Sequence, residues 1–245
     1  MNYKLESSST RAPKNVEKDN IKDKTAHLLQ ELKELQKVLF AQSKYSVLIV
    51  LQGLDASGKD GAVNKVFSGL NPLGVDVHAF KAPTEEELKY DFLWRIHQKV
   101  PAKGEITIFN RSHYEDVLVP VVEKWIDEKT LKARYDHINN FENLLIEHNT
   151  IVLKYYLHIS QEEQIERLTE RKTNPEKFWK HSDGDWDTSK KWDKYMKAYH
   201  DIFRYCNAPR WTVVPADQNW YKEYIITDSL VSQLKKLDLK YPKLK

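Results

Sequence analysis

The stretch Tyr45–Phe67, "YSVLIVLQGLDASGKDGAVNKVF", decides the fold. It opens on an unbroken apolar run, the pattern of a strand buried on both faces. Gly53 and Gly58 follow, then Lys59, then a helical pattern. Glycines let a backbone curl so that successive N–H groups face inward and bind phosphate oxygens. The N-terminus of the next helix adds a positive dipole, and the lysine adds a point charge for outer phosphates. The backbone of Gly53, Ala56, Ser57, Gly58 and Asp60 is the expected cradle. Such loops usually carry Ser or Thr after the lysine, for magnesium. Asp60 stands there instead, and is read as a cap on the helix it starts. Asp55, inside the loop, would repel phosphate unless a cation lay between. It is therefore read as a contact to Mg²⁺, direct or through water, or as a group that orients the attacking phosphate.

Outward from this stretch, apolar runs recur at 74–80, 105–110, 151–159 and 211–216, with 45–52 as the first. Helical patterns lie between them. Strands alternating with helices imply an α/β fold, a parallel sheet covered on both faces. Ligands in such sheets sit beyond the carboxyl ends of the strands, where the glycine loop lies. The span 160–205 breaks the rhythm with a charged, Trp- and Lys-rich sequence, read as a lid insertion in a single domain over 21–245. Residues 1–20 are polar and read as a loosely ordered arm. Leu28, Leu29, Leu32, Leu35 and Leu39 then mark an amphipathic helix packed on the domain.

Composition narrows the class. A chain of 245 residues with 40% hydrophobic and 31% charged residues suits one globular domain. A net charge of +3 is too small for a typical nucleic-acid binder. One cysteine, Cys206, allows no internal disulfide. No apolar stretch approaches the ~20 residues that span a bilayer, and the N-terminus lacks an apolar signal core. The expectation is a cytoplasmic protein without a membrane or nucleic-acid partner.

A second motif, "EITIFNRSHYEDVLV" (105–119), begins as a strand and ends in charge. Arg111 at the strand tip is placed to neutralise a transferring phosphoryl group. Glu115 and Asp116 are the nearby acids, and His113, with no second histidine at ligand spacing, reads as structural.

These segments, together with "FKAPTEEELKYDFLWRIHQKVPAKGEITIFNRSHYEDVL", "RKTNPEKFWKHSDGDWD" and "PADQNWY", resemble the family-2 polyphosphate kinases, in order, over about residues 21–230. The resemblance implies a P-loop kinase-like three-layer sandwich, with a helical lid over its five-stranded sheet. It implies phosphoryl transfer between inorganic polyphosphate and nucleotides, with Mg²⁺ or Mn²⁺, in a homodimer or homotetramer. The family's loop Asp and Lys match Asp55 and Lys59, its strand-end Arg matches Arg111, and its lid cations match Arg167 and Arg171. Many members carry "DRSWYNR" where this chain has "NRSHYED", so Asn110 replaces the usual strand-end Asp. Asp116 is taken as the replacement metal ligand beside Asp55, with Glu115 second. This version of the motif is similar to the class III subgroup, which accepts both AMP and ADP and forms ADP and ATP.

A flexible polyanion needs a basic groove. Gln164, Arg167 and Arg171 fall on one helix face, followed by Lys172, Lys177 and Lys180, with Lys81 after the second strand. "DFLWRIHQK" (91–99) is the expected acceptor segment, where Arg95 would bind phosphate and Phe92 or Trp94 would stack on a base. Asn110 and Glu115 are assigned to the same nucleotide. The expected mechanism is direct, reversible, in-line transfer without a covalent intermediate. The rivals are an ATP-dependent nucleoside monophosphate kinase and a noncatalytic nucleotide-binding module.

Overall fold

The computed structural model describes residues 5–244. Its strands are β1 (Ser46–Gln52), β2 (Val75–Ala79), β3 (Ile106–Asn110), β4 (Thr150–His158) and β5 (Trp211–Pro215). Each matches its expected run to within a residue at either end. Its helices are α1 (Lys18–Gln42), α2 (Lys59–Phe67), α3 (Trp94–His97), α4 (Val119–Val122), α5 (Glu128–Glu147), α6 (Gln161–Thr173), α7 (Asp183–Lys190), α8 (Trp192–Tyr205) and α9 (Asn219–Lys235). A 3₁₀ turn at His113–Val117 follows β3, and another at Pro175–Lys180 follows α6.

The strands form one parallel sheet in the order β2-β3-β1-β4-β5. β1 is central and every one of its residues is buried, which explains its unbroken apolar sequence. β4 shows why both faces are covered. Lys154 reaches Glu142 of α5 and Tyr156 reaches Met196 of α8, whereas Tyr155 between them reaches Ser229 of α9. Alternate residues of a strand point to opposite faces, so α5 and α8 lie on one side and α9 on the other. α1 and α2 pack with α9.

Two expectations change. The 160–205 span is not uniform. α6 and α7 border the cleft described below, but α8 is a core helix, with Tyr195, Tyr199, Ile202 and Phe203 buried. The arm at 1–20 is not loose over its described part. Leu5 is buried, Thr10 and Ala12 bond to the loop after β5, and α1 starts at Lys18. Residues 1–4 lie outside the described residues. Polar composition hides this because the arm is held mainly by hydrogen bonds.

Candidate active site

The loop between β1 and α2 lies at the carboxyl edge of the sheet. Gly58, the N-cap of α2, has φ 88°, and a Cβ there would run into the Lys222 ammonium. At Gly53, with φ 153°, a Cβ would sit 2.8 Å from the Leu157 carbonyl. Both positions therefore need glycine. Ala56 and Arg111 also have positive φ, near 62°. Non-glycine residues adopt this region at a cost, and such residues cluster at functional sites.

Lys59 is almost fully buried and donates to the carbonyls of Gly53 (2.7 Å) and Leu54 (3.1 Å). Burial, with the nearby Arg111 cation, brings its pKa down to about 8. Arg111 pairs with Asp55. Burial opposes the Arg111 charge, but Glu115 and Asp55 outweigh it and raise its pKa. Glu115 is half-buried. Burial pushes its carboxyl above the ordinary range, against the pull of Arg111 and Lys59. Asp55, Lys59, Arg111 and Glu115 thus form one mutually interacting group.

Asp116 does not join it. Its carboxylate lies 3.6 Å from Arg95 and its carbonyl accepts from Arg134 at 2.6 Å. The Asp116 carboxylate is turned toward Arg95, whereas Glu115, ranked second as metal ligand, faces the loop. Asp60 is not simply a helix cap. It accepts from Asn110 at 2.8 Å and lies 3.4 Å from Lys180, so Asn110 is turned to the loop acid. Burial raises the Asp60 pKa, but Asn110 and Lys180 overcome this and leave it lowered.

An open cleft of about 1050 Å³ lies over the loop. Its walls include Lys81, Arg111, Arg171, Lys180, Asp185 and Lys222. Arg171 pairs with Asp185 of α7 and donates to the Lys180 carbonyl at 3.2 Å. Arg167 is largely engaged within the protein. It donates to Glu163 (2.8 Å), Ala56 O (3.0 Å), Ala216 O (2.9 Å) and Asp217 O (3.0 Å). It braces the loop from α6 more than it offers a free fork to a ligand. Gln164, on the same helix face, donates to Asp55 O at 3.0 Å.

The acceptor segment departs further. Phe92 does not line this cleft. It packs near His137 and under Arg134, beside a second cavity of about 730 Å³ against α5. Trp94 stacks on Tyr90, with ring centroids 4.1 Å apart. Arg95 is buried, donates to Lys81 O at 2.9 Å, and faces Glu87 and Asp116. The structure therefore does not bring Phe92 and Arg95 together with Asn110 and Glu115. The aromatics have the commoner fate of packing.

The sequence reading missed Lys222 and Asn219. Lys222 is fully buried and donates to Gly58 O (3.0 Å) and to Asn219 Oδ1 (2.8 Å). Burial and the Arg167 charge bring its pKa down to about 8. Their i, i+3 spacing just past the end of β5, the edge where ligands gather, was the available signal. His113 is structural as read: it is fully buried, with Nε2 3.2 Å from Glu142. Among the described residues no group of three or more His, Cys, Asp or Glu side chains is arranged to hold a metal, and no helix is long and apolar enough to cross a membrane.

Comparisons with known proteins agree with this geometry. The chain is 48% identical over 220 residues to an AMP/ADP-polyphosphate phosphotransferase of Meiothermus ruber, covering 89% of this chain and 82% of that one. It is 36% identical over 228 residues to an ADP-polyphosphate phosphotransferase of Rhodopseudomonas palustris, covering 87% and 79%. The crystal structure of polyphosphate kinase 2 from Arthrobacter aurescens TC1 superposes with a TM-score of 0.96 at 39% identity, covering 99% of this chain and 89% of that one. The profile of the family described as polyphosphate kinase 2 (PPK2) matches residues 15–242. With a phosphate loop on the five-stranded parallel sheet and a family match over nearly its whole length, the chain belongs to the polyphosphate kinase 2 family.

Proposed function

We propose that this protein transfers phosphoryl groups between inorganic polyphosphate and AMP or ADP, forming ADP and ATP. The observation that carries the reading is the cleft itself. It is open, and its cations come from separate elements, Arg111 past β3, Arg171 on α6, Lys180 in the turn after α6 and Lys222 on α9, with Asp55, Asp60 and Asp185 among them. Such a groove suits a flexible chain with charge on every unit better than it suits one compact ligand. The names of the relatives from Meiothermus ruber and Rhodopseudomonas palustris point to the same substrates.

Asp55 lies in the loop and Glu115 faces it, and a divalent cation would be held by these two carboxylates together with substrate phosphates. Magnesium commonly binds through one or two carboxylates plus phosphate oxygens, so the absence of a complete all-protein cage fits. A bound Mg²⁺ or Mn²⁺ supplies charge neutralisation on the phosphoryl oxygens. The chain's own residues supply positioning. Inward-facing loop amides cradle the phosphates, and Lys59 and Arg111 spread the charge that develops during transfer. The terminal phosphate oxygen of the acceptor nucleotide attacks the end phosphorus of polyphosphate in line. One phosphoanhydride forms as another breaks, so the reaction runs in both directions. A phosphate oxyanion needs no strong base, which leaves Asp55 free to hold metal or to orient the acceptor.

The test is product analysis. Pure protein, Mg²⁺ and long-chain polyphosphate are mixed with AMP or ADP without ATP, and nucleotides are separated by chromatography. Conversion of AMP to ADP and ATP is the expected result. Conversion of ADP alone would keep the donor and remove AMP from the substrate range. If nothing changes until ATP is supplied, the protein is a nucleoside monophosphate kinase and the polyphosphate reading fails.

A further inference from the structure

The stretch over residues 5–12 is tied to the wall of the cleft at Asp217. Asp217, in the loop after β5, is almost fully buried, and its carboxylate joins two distant parts of the chain. Oδ1 accepts from the Ser160 N–H at 2.8 Å, and Oδ2 accepts from the Thr10 hydroxyl at 2.7 Å. The Asp217 N–H donates to Thr10 O at 3.0 Å, so Thr10 and Asp217 are bonded twice. The Ala12 N–H donates to the Gln218 side chain at 2.9 Å, and the segment is anchored at its other end by buried Leu5. Ser160 is the N-cap of α6, and its hydroxyl accepts from the Glu163 N–H. One turn further along α6, Arg167 reaches the carbonyls of Asp217 and Ala216 and, through its other terminal nitrogen, the loop carbonyl of Ala56.

We propose that Thr10 is a positioning residue for polyphosphate binding: through Asp217 it sets the first turn of α6 and the Arg167 brace on the phosphate loop. The physical ground is the poverty of other partners for Oδ2. The remaining cation nearby is Arg11, 3.8 Å away on a side chain that is 59% exposed. A buried carboxylate oxygen that loses its hydroxyl donor turns toward water. That rotation pulls Oδ1 from the Ser160 amide and loosens the first turn of α6, one turn before the Arg167 brace. The inference rests on the polyphosphate reading for its kinetic consequence, and on the hydrogen bonds alone for its structural one.

The experiment uses the full chain with Thr10→Val, which keeps the shape and removes the hydroxyl, and with Thr10→Ser, which restores it. Three quantities are read: KM for polyphosphate, KM for AMP with kcat, and amide hydrogen exchange over residues 160–167. Thr10→Val is expected to raise KM for polyphosphate about five- to tenfold, somewhat less than the full worth of one hydrogen bond to a charged group. KM for AMP and kcat stay within about twofold of wild type, and the amides at the start of α6 exchange faster. Thr10→Ser returns all three toward wild type. An unchanged KM for polyphosphate overturns the proposal. So does a loss spread equally over both substrates and kcat with a fall in Tm, since that marks general destabilisation. If wild-type protein shows no transfer from polyphosphate at all, the functional reading has failed instead. The exchange measurement then decides this inference alone: unchanged exchange at 160–167 in Thr10→Val sinks it.

Discussion

Glu115 and Asp116 are adjacent acids with different surroundings. The 3₁₀ turn over His113–Val117 separates successive side chains by about 120° and eclipses residues three apart. His113 and Asp116 therefore point to the protein side, one toward Glu142 and the other toward Arg95. Glu115 turns to Arg111 and Lys59. Glu115→Gln is expected to lower kcat by about 10²–10³-fold, the scale of loss when a group neutralising the transferring charge, here the metal that Glu115 would hold, is displaced, and to shift the Mg²⁺ dependence to higher concentration. Asp116→Asn is expected to keep kcat and the Mg²⁺ profile near wild type. Steady-state kinetics across a magnesium titration separates the two, and a larger loss in Asp116→Asn would restore Asp116 as the metal ligand. The sequence displayed both acids and the loop residues Asp55 and Lys59. It did not display which acid faces the loop, because that depends on three residues per turn instead of 3.6, a difference no spacing in "SHYEDV" reveals.

The element beneath that turn is a buried polar cluster. Glu142 on α5 accepts from Lys154 of β4 (2.7 Å) and from Tyr114 (2.8 Å), with His113 Nε2 3.2 Å away. Lys154 also donates to Cys206 O at 3.0 Å. Burial works against the Glu142 carboxylate, yet His113 and Lys154 outweigh it and hold its pKa below the usual value. Lys154→Met leaves that carboxylate uncompensated and is expected to cost about 3–5 kcal/mol of folding stability. Urea denaturation with an unchanged m-value measures it; a loss under about 1 kcal/mol would mean that His113 and Tyr114 suffice. β1 and β3 were legible to within a residue because buried parallel strands read as continuous apolar runs, and the partly exposed edge strands β2 and β5 by their shorter apolar stretches. The cluster was not, since Lys154 in "IVLKYYLHI" looks like an ordinary surface lysine until α5 supplies its partner. Phe92 failed for a related reason: an aromatic in a loop carries no mark of whether it will meet a ligand or a neighbouring helix.

At the scale of the molecule, the cleft sets lysines and arginines among nearly as many carboxylates, and the positive share of that balance depends on pH. Lys59 and Lys222 have pKa values brought down to about 8 by burial. A lysine is cationic below its pKa, so both are charged at pH 7 and lose charge as pH rises through about 8. The ratio kcat/KM for polyphosphate, which reports the free enzyme, is expected to fall above about pH 8. The fall in kcat at saturating polyphosphate comes at higher pH, because bound anion favours the protonated amines. A flat kcat/KM profile across pH 7–9.5 would show that neither amine meets the substrate's charge. The closure at Asp217 also has a consequence for how the protein is made. Thr10 and Asp217 lie 207 positions apart, and central β1 pairs with β4 from Ser46↔Thr150 onward. Contacts so distant along the chain close slowly and late. A ribosome must therefore deliver nearly the entire polypeptide before the last of them forms, and a nascent chain released early holds its glycine loop without the wall that completes the cleft.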